Sequence, residues 1–303
     1  METRQLGKDG PLVPVICLGA WPLGGGMGAI TDSQAIATIH ASLDAGVNFI
    51  DTAESYRTSE SVVGKALKGR RGNVILATKL SGDHSREHMS AAVENSLRSL
   101  GTDYIDLYQL HSPRPESPIE ETMGNLLKLR DQGKIRYIGV SNFSGEQHSE
   151  AAQFGPIHSS QPRYNMFYRE AEKSVLEVCL EQEIGVIPHS PLAKGILTGK
   201  YRPGHVFPKD DERVNKQEFE NRQFNIAFPI VERLIKWAAD QGLSMNQLAI
   251  AWTLAHPAVT SCIVGAKKPE QALHNASASE WRLSSRDMTE ISEIIGDFEL
   301  RLA

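Results

Sequence analysis

Asp51, Tyr56, Lys79 and His111 are side chains of the kinds that move protons, and three of them end apolar runs of the 303-residue sequence. Asp51 closes the run 47–51, Lys79 closes 74–79 and His111 closes 104–111, with Tyr56 just past the first. An Asp and a Lys closing neighbouring apolar runs are expected to pair, because an isolated buried charge is expensive. A lysine beside a tyrosine also favours the tyrosinate. At ~4 Å and an effective dielectric of ~20 the attraction is about 4 kcal/mol. At ~1.36 kcal/mol per unit, that draws a phenol from ~10 towards ~7, where it exchanges protons readily. The imidazole can donate a hydrogen bond to the same oxygen that the phenol protonates. Such a set suits protonation of a carbonyl while hydride arrives from elsewhere. No side chain supplies hydride, so a nicotinamide cofactor is the natural donor. Singly, each residue has a plainer reading: Lys79 and Asp51 as a structural ion pair, and His111 as a rim histidine like His158 and His189.

The elements that must position these residues alternate strand with helix to the end of the chain. Apolar runs at 13–19, 47–51, 74–79, 104–111, 135–140, 158–161, 184–188 and 259–265 make eight strands, each followed by helix. Helix starts are marked by Thr31-x-x-Gln34, Ser117-Pro118-Ile119-Glu120, Ser144-x-x-Gln147 and Ser244-x-x-Gln247. Further helices are expected at 60–68, along the Met89, Val93, Leu97, Leu100 stripe, at 170–182, near Pro229, at 269–276 and at 286–297. Eight βα units predict an α/β fold, a closed (β/α)8 TIM barrel formed by one domain over 1–303. In such a barrel, chemistry sits where strands end and loops begin. A segment at 3–6, turning at Asp9-Gly10, is expected to form a hairpin under the barrel. The pattern fails over 197–225, and 201–225 reads as a long loop after the seventh strand, a candidate lid. The glycine-rich stretch Gly24-Gly25-Gly26-Met27-Gly28-Ala29 satisfies G-x-G-x-x-A, with Asp51 ending the next strand. Four residues separate it from Gly19, however, whereas the dinucleotide fingerprint turns directly off its strand. A glycine-rich βα loop shaped to admit a ligand is the better reading.

Composition narrows the partners. With 32 Lys+Arg against 37 Asp+Glu the net charge is −5, which argues against nucleic acid as the main partner. Cys17, Cys179 and Cys262 form no CxxC pair, so neither a disulfide framework, nor a cysteine zinc site, nor any other metal centre is expected. No apolar run approaches the ~20 residues that span a membrane, and residues 1–8 lack an apolar signal core. A cytoplasmic enzyme acting on a small molecule is the expectation, with monomer or homo-oligomer left open.

The chain also resembles the aldo-keto reductase superfamily. The likeness is carried by Gly46-Val47-Asn48-Phe49-Ile50-Asp51-Thr52-Ala53 with Tyr56, by Ala77-Thr78-Lys79, and by Asp106-Leu107-Tyr108-Gln109-Leu110-His111. It continues through Gly133-Lys134-Ile135-Arg136-Tyr137-Ile138-Gly139-Val140-Ser141-Asn142-Phe143 and Gln161-Pro162-Arg163-Tyr164-Asn165. Ser190-Pro191-Leu192-Ala193 and Gly265-Ala266-Lys267-Lys268-Pro269-Glu270-Gln271 complete the series in order. The chain looks most like the bacterial branch of inositol- and general stress-related reductases, which is also similar to potassium-channel β subunits.

The resemblance implies NADP(H) bound without a Rossmann fold and reversible reduction of aldehydes or ketones. Tyr56 would be the general acid–base, tuned by Lys79 and Asp51, and His111 would orient the carbonyl. Ser141, Asn142 and Gln161 would hold the nicotinamide carboxamide, with Gly19, Trp21, His189 and Ser190 beside it. Leu192, Lys194 and Gly195 would cover the pyrophosphate, and Gly265, Lys267, Lys268, Gln271 and Asn275 would bind the 2′-phosphate end. Trp21, Phe143, Arg114 and the rings of Tyr56 and His111 would meet the carbonyl or alcohol substrate.

Two departures carry expectations of their own. His189 stands where the family usually stacks a tyrosine, and imidazole titrates near neutrality, so weaker or pH-sensitive cofactor binding is expected. Gln271 replaces an arginine common in relatives, which leaves NADPH preference to Lys267 and Lys268. The rival reading is a cofactor-binding regulatory or redox-sensing subunit, as channel β subunits are. A Schiff-base role for Lys79 is disfavoured because Asp51 beside it would keep the amine charged.

Overall fold

Strands β5 (Ile75–Leu80) and β6 (Ile105–Leu110) are buried along almost their whole length rather than on alternate residues. A strand without a solvent face belongs in a parallel sheet covered on both sides. The computed structural model, which describes residues 1–215, 219 and 221–298, has that sheet. Around β5 and β6 stand β3 (Ile16–Gly19), β4 (Phe49–Asp51), β7 (Ile135–Ser141), β8 (Ser159–Gln161), β9 (Gly185–Val186) and β10 (Cys262–Gly265). The eight strands run in the order β10-β3-β4-β5-β6-β7-β8-β9, each paired parallel to its neighbour. Val186 bridges Val259, and Ile263 N–H donates to Pro188 O at 3.1 Å, which brings β9 round to β10. The barrel geometry expected from eight βα units is therefore present, and the open doubly wound sheet is not.

An antiparallel hairpin of β1 (Thr3–Gln5) and β2 (Leu12–Pro14) lies under the barrel. Its turn packs closely there: a Cβ on Gly7 would come within 2.5 Å of His158 O. Leu6 and Val13 of the hairpin join Cys17, Phe49, Ala77, Leu107, Ile187 and Ile263 in one apolar plug inside the ring. A larger core lies between the strands and helices α1 (Asp32–Asp44), α2 (Ser59–Leu67), α3 (Arg86–Leu100), α4 (Ile119–Asp131), α5 (Gly145–Ala151) and α6 (Val175–Glu181). It continues under α7 (Asn221–Asp240), α8 (Met245–Ala255) and α9 (Pro269–Ser277). Above the plug the inward positions turn polar. Register sets Asp51 level with Gly19 and Ala77, and Lys79 level with Gln109. Gly139 makes room for that layer, since a Cβ there would stand 2.1 Å from Ser159 Oγ and 2.9 Å from Gln109 Cγ.

Several boundaries differ from expectation for local reasons. The helix expected near Pro229 begins at Asn221 and keeps the proline inside it. The helix expected over 170–182 is broken at Ser174, whose backbone (φ −154°, ψ −47°) separates a 3-10 turn from α6. Pro118, not Ser117, stands at the N-cap of α4, and Ser117 Oγ instead accepts from His84 N–H. Ser144 and Ser244 form the full capping boxes that their spacing predicts, while Thr31 accepts only from Gln34 N–H. The last helix, α10 (Ser285–Ile295), docks by Ile291 and Ile295, and Glu290 accepts from Trp237 Nε1 at 2.9 Å.

Asp106, inside the matched segment 106–111, serves the fold. Its carboxylate accepts from Arg71 (2.7 Å), Arg136 (3.0 Å) and Leu76 N–H (3.0 Å), and both guanidiniums lie over the Tyr104 ring. Removing that acceptor leaves two arginines without their shared partner. Asp106→Ala is expected to lower unfolding free energy by about 2–3 kcal/mol, read from denaturant midpoints.

Candidate active site

The inward side chains at the strand ends build the floor of a cleft of about 980 Å³. Lys79 Nζ donates to Asp51 Oδ1 at 2.5 Å, to Thr52 O at 2.9 Å and to Tyr56 OH at 3.4 Å, so all three of its protons are assigned. The other carboxylate oxygen, Asp51 Oδ2, accepts from Gln109 Nε2 (2.9 Å) and Gln161 Nε2 (3.0 Å). Gln161 Nε2 also donates to Gln109 Oε1 at 3.0 Å. Tyr56 reaches this group from the loop after β4, where Thr52 Oγ1 donates to Ser59 Oγ and Ser59 donates to Ala20 O. Its ring packs edge-on against Trp21 (4.8 Å between centroids) and His111 (5.5 Å).

The electrostatics correct two expectations. Burial alone would lower the pKa of Lys79, but Asp51 and Tyr56 raise it by more, so the ammonium is held charged. For Tyr56, burial raises the pKa, Lys79 pulls it down and Asp51 raises it again; the result lies above the ordinary phenol value. The fall towards neutrality expected from the lysine alone does not occur, because desolvation of the phenolate outweighs one cation that is already paired. Burial and Lys79 push His111 down to about 4, so its imidazole is neutral at ordinary pH. Burial, then Arg163 and Lys79, push His189 down to about 3. It carries no charge to gain or lose near neutrality, and the pH-sensitive cofactor binding expected from its titration is withdrawn.

His111 stands between the main cleft and a side cavity of about 190 Å³ lined by Ser55, Ser81, Ser112 and Arg114. Across the cleft, Ser141 Oγ donates to Gln161 O, and Asn142 Nδ2 donates to His111 O and Ser141 Oγ. His189 lies within 3.4 Å of Asn142 Oδ1 and 2.9 Å of Ser190 Oγ. Gln161 Nε2 donates inside the barrel, and its side-chain Oε1 has no partner among the described residues, which leaves that oxygen for a ligand. Farther out, Ala193, Lys194 and Gly195 turn through left-handed backbone (φ 45°, 54° and 108°), bringing Leu192, Lys194 and Gly195 to the cleft wall. Gly265, Lys267, Lys268 and Gln271 line its far end, by the start of α9.

A strap closes over this cleft. Met27 bridges Asp211, Glu212 N–H donates to Gly26 O at 3.2 Å, and Ala29 N–H donates to Asp210 Oδ2 at 2.8 Å. The strap belongs to the 201–225 loop, of which residues 216–218 and 220 lie outside the described residues. Its aromatic content is its own small core: Tyr201, Phe207 and Phe219 pack together, and Arg213 lies over Tyr201 and Phe207 while pairing with Asp211. Lys267 Nζ joins the closure by donating to Met27 O, Gly28 O and Ala29 O at 2.8, 3.0 and 3.1 Å.

Residues 15–296 match the model of the Aldo/keto reductase family. The chain belongs to that family. Among its relatives, Aldo-keto reductase YhdN of Bacillus subtilis (strain 168) is 41% identical over 97% of this chain and 94% of that protein. A probable voltage-gated potassium channel subunit beta of Oryza sativa subsp. japonica is 34% identical over 92% of this chain and 91% of that protein. The solved glycerol dehydrogenase AKR11B4 from Gluconobacter oxydans superposes with a TM-score of 0.88, 34% identity and coverage of 97% of this chain and 94% of that one. As an aldo/keto reductase the chain is an oxidoreductase of the carbonyl-reducing kind, with the family's (β/α)8 architecture.

In this aldo/keto reductase most of the residues singled out in the sequence converge. Gly19, Trp21, Asp51, Tyr56, His111, Ser141, Asn142 and Gln161 line one cleft with His189, Ser190 and the loop residues beyond. Lys79 lies just beneath that lining, fully buried, and three others fall elsewhere. Phe143 is packed in the core beside His148. Asn275 is buried and donates to Gly265 O, holding a strand end. Arg114 is exposed and reaches only the side cavity. Sequence reasoning does not single out Gln109, though its place two residues before His111 on the inward face was a usable signal. Asp210, Asp211, Glu212 and Arg213 had no such signal, since nothing in a polar loop tells which residues turn back onto the barrel. No described helix is long and apolar enough to cross a membrane, and no described cluster of three His, Cys, Asp or Glu residues is placed to hold a metal.

The buried pair generates a test. Lys79→Met leaves Asp51 charged without its cation and is expected to cost about 3–5 kcal/mol of stability in denaturant unfolding. Adding Asp51→Leu removes the orphaned charge and is expected to restore most of that loss.

Proposed function

We propose that this aldo/keto reductase catalyses the NADPH-dependent reduction of aldehydes or ketones to alcohols, reversibly, with Tyr56 as the general acid. The observation that carries the reading is the buried Lys79 ammonium, held between Asp51 Oδ1 and Tyr56 OH just beneath the cleft that those two residues line. When bound, NADP(H) supplies the hydride. Tyr56 gives its proton to the substrate oxygen, and the tyrosinate left behind faces a lysine whose charge is already secured. His111, neutral, fixes that oxygen by a hydrogen bond. Gln161, through its free carbonyl, together with Ser141 and Asn142, fits the carboxamide. Trp21 and the Tyr56 ring give the substrate an apolar wall.

At the other end the two lysines divide the work. Lys267 is occupied by three carbonyls of the glycine-rich loop, whereas none of the described residues pairs with the Lys268 ammonium at the start of α9. Lys268 is the cation that fits a 2′-phosphate, and Lys267 shapes the loop. Lys268→Ala is expected to lose about tenfold in affinity for NADPH with little change for NADH. Lys267→Ala is expected to weaken both cofactors alike, a split that fluorescence titration would read.

The rice relative's name keeps a second reading in view, a regulatory subunit that binds cofactor and turns over slowly. Steady-state NADPH consumption across a panel of carbonyls separates the two. Tyr56→Phe is expected to cut that rate by about 100-fold or more. Because Tyr56 stays protonated up to and beyond its ordinary range and His111 is neutral above about 4, reduction should be level from about pH 6 to about pH 9. A Tyr56→Phe protein as fast as the parent, or a fall in rate centred near neutrality, refutes this assignment.

A further inference from the structure

Beside the imidazole of His111 lies the side cavity of about 190 Å³. His111 and the exposed Ser55 line both it and the main cleft, so the two spaces adjoin along these side chains. Its polar lining comprises the hydroxyls of Ser55, Ser81 and Ser112 and the guanidinium of Arg114. Arg114 is exposed, and its guanidinium makes no hydrogen bond or ion pair with any described residue. Its charge acts on both imidazoles nearby. Burial first and Arg114 next push His84 down to about 4, and Arg114 adds to burial and Lys79 at His111. The other cation close to Tyr56 is committed, since Arg57 donates to Gly25 O at 2.6 Å. Glu54 accepts from Ser81 N–H, Asp83 accepts from Ser85 N–H, and Glu116, which opposes Arg114 at His84, is exposed. None of these three carboxylates lines the cavity.

The hydroxyl protons decide what the cavity accepts. Ser112 Oγ donates to His111 O at 2.8 Å and has no second proton to offer. Ser81 Oγ lies 2.9 Å from His111 Nδ1. In the reading above, His111 gives Nε2–H to the substrate oxygen, so Nδ1 is bare and takes the Ser81 proton. Ser81 then has none for Ser55 Oγ, 3.0 Å away, and the Ser55 proton can turn into the cavity. The donors facing a ligand are therefore one O–H and the five N–H of a guanidinium, with a full positive charge. A neutral tail would leave that charge to water alone. A carboxylate or phosphate accepts from both groups and can meet the guanidinium by two parallel bonds. We propose that the side cavity binds an anionic group, a carboxylate or phosphate, at the far end of a short aldehyde substrate, with Arg114 as the specificity-determining cation and Ser55 as its neighbouring donor. The inference rests on the carbonyl-reductase reading, which puts the aldehyde oxygen at Tyr56 and His111, and it names the substrate class that this reading leaves open.

Arg114 has no protein partner to lose, so its replacement tests binding rather than folding. Matched aldehydes separate charge from reactivity: succinic semialdehyde against butanal for a carboxylate, and glycolaldehyde phosphate against glycolaldehyde for a phosphate. The parent is expected to favour the anionic member of at least one pair by about tenfold or more in kcat/KM. Arg114→Gln should remove about tenfold of that preference, chiefly through KM, and Arg114→Lys should keep more of it than Gln does. Ser55→Ala should lower it by about threefold. The preference should also shrink as salt rises from about 0.05 M to about 0.5 M. Which pair responds tells carboxylate from phosphate. A parent with no anionic preference in either pair, or a preference that Arg114→Gln leaves unmoved, overturns the proposal while carbonyl reduction stands. Calorimetric titration with succinate and with glycerol phosphate gives a readout apart from turnover. A parent that reduces none of these aldehydes, yet binds one of the two anions about tenfold more tightly than Arg114→Gln does, upholds the anion site and removes the reductase reading instead. If neither anion binds and no aldehyde is reduced, both fall.

Discussion

Lys79 and Asp51 face each other inside the barrel with side-chain exposures of 0% and 3%. Desolvating either charge alone would cost several kcal/mol, so each is tolerable only while the other is in place and the remaining hydrogen-bonding capacity is filled. That condition explains the neighbours. Gln109 and Gln161 fill the second carboxylate oxygen, Thr52 O takes the lysine's second proton, and Tyr56 receives the third. Gly139 lacks a side chain because Gln109 needs the space. The eight-stranded ring supplies what the pair requires, a dry interior whose inward positions are fixed by register rather than by loops.

Precision therefore declines outward from the pair. Asp51, Lys79, Gln109 and Gln161 sit on strands, His111 directly after β6, Tyr56 in the loop after β4, and the far wall of the cleft on turns and a strap. The strap is joined to the glycine-rich loop by the Met27–Asp211 bridge, the Glu212 N–H bond to Gly26 O and the Ala29 N–H bond to the Asp210 carboxylate. Segments held by few exposed bonds open at lower free energy than core strands do.

Much of this was legible in the sequence because it depends on local pattern. Eight apolar runs with capped helices between them state the barrel, and a charged residue closing an apolar run states a strand end. Legibility ends where contact is long-range. Lys267 looks like an available cation in Gly265-Ala266-Lys267-Lys268, yet its three protons go to carbonyls some 240 residues away in sequence. Phe143 follows a strand end but turns into the core. Gly24–Ala29 has the spacing of a dinucleotide fingerprint, and a 3-10 turn at Trp21–Gly24 with an Arg57 contact to Gly25 O makes it a wall of the cleft instead. Pattern reports which face a residue occupies, not which distant group meets it.

The sign of the Tyr56 shift shows how far pairwise reasoning reaches. A lysine at hydrogen-bonding distance, taken alone, makes the phenol a ready base. In the folded chain burial opposes ionisation of the phenol most strongly, and Asp51, to which the lysine is already paired, opposes it as well. The phenol is thereby kept protonated, the form that the proposed reduction would consume. In the proposed reaction the ammonium would act one step later: once the proton had moved, the tyrosinate would gain a fixed cation that needs no reorganisation to meet it. On that proposal, the arrangement that prevents ionisation in the resting site would stabilise it during proton transfer, because the pair was built and desolvated when the barrel folded.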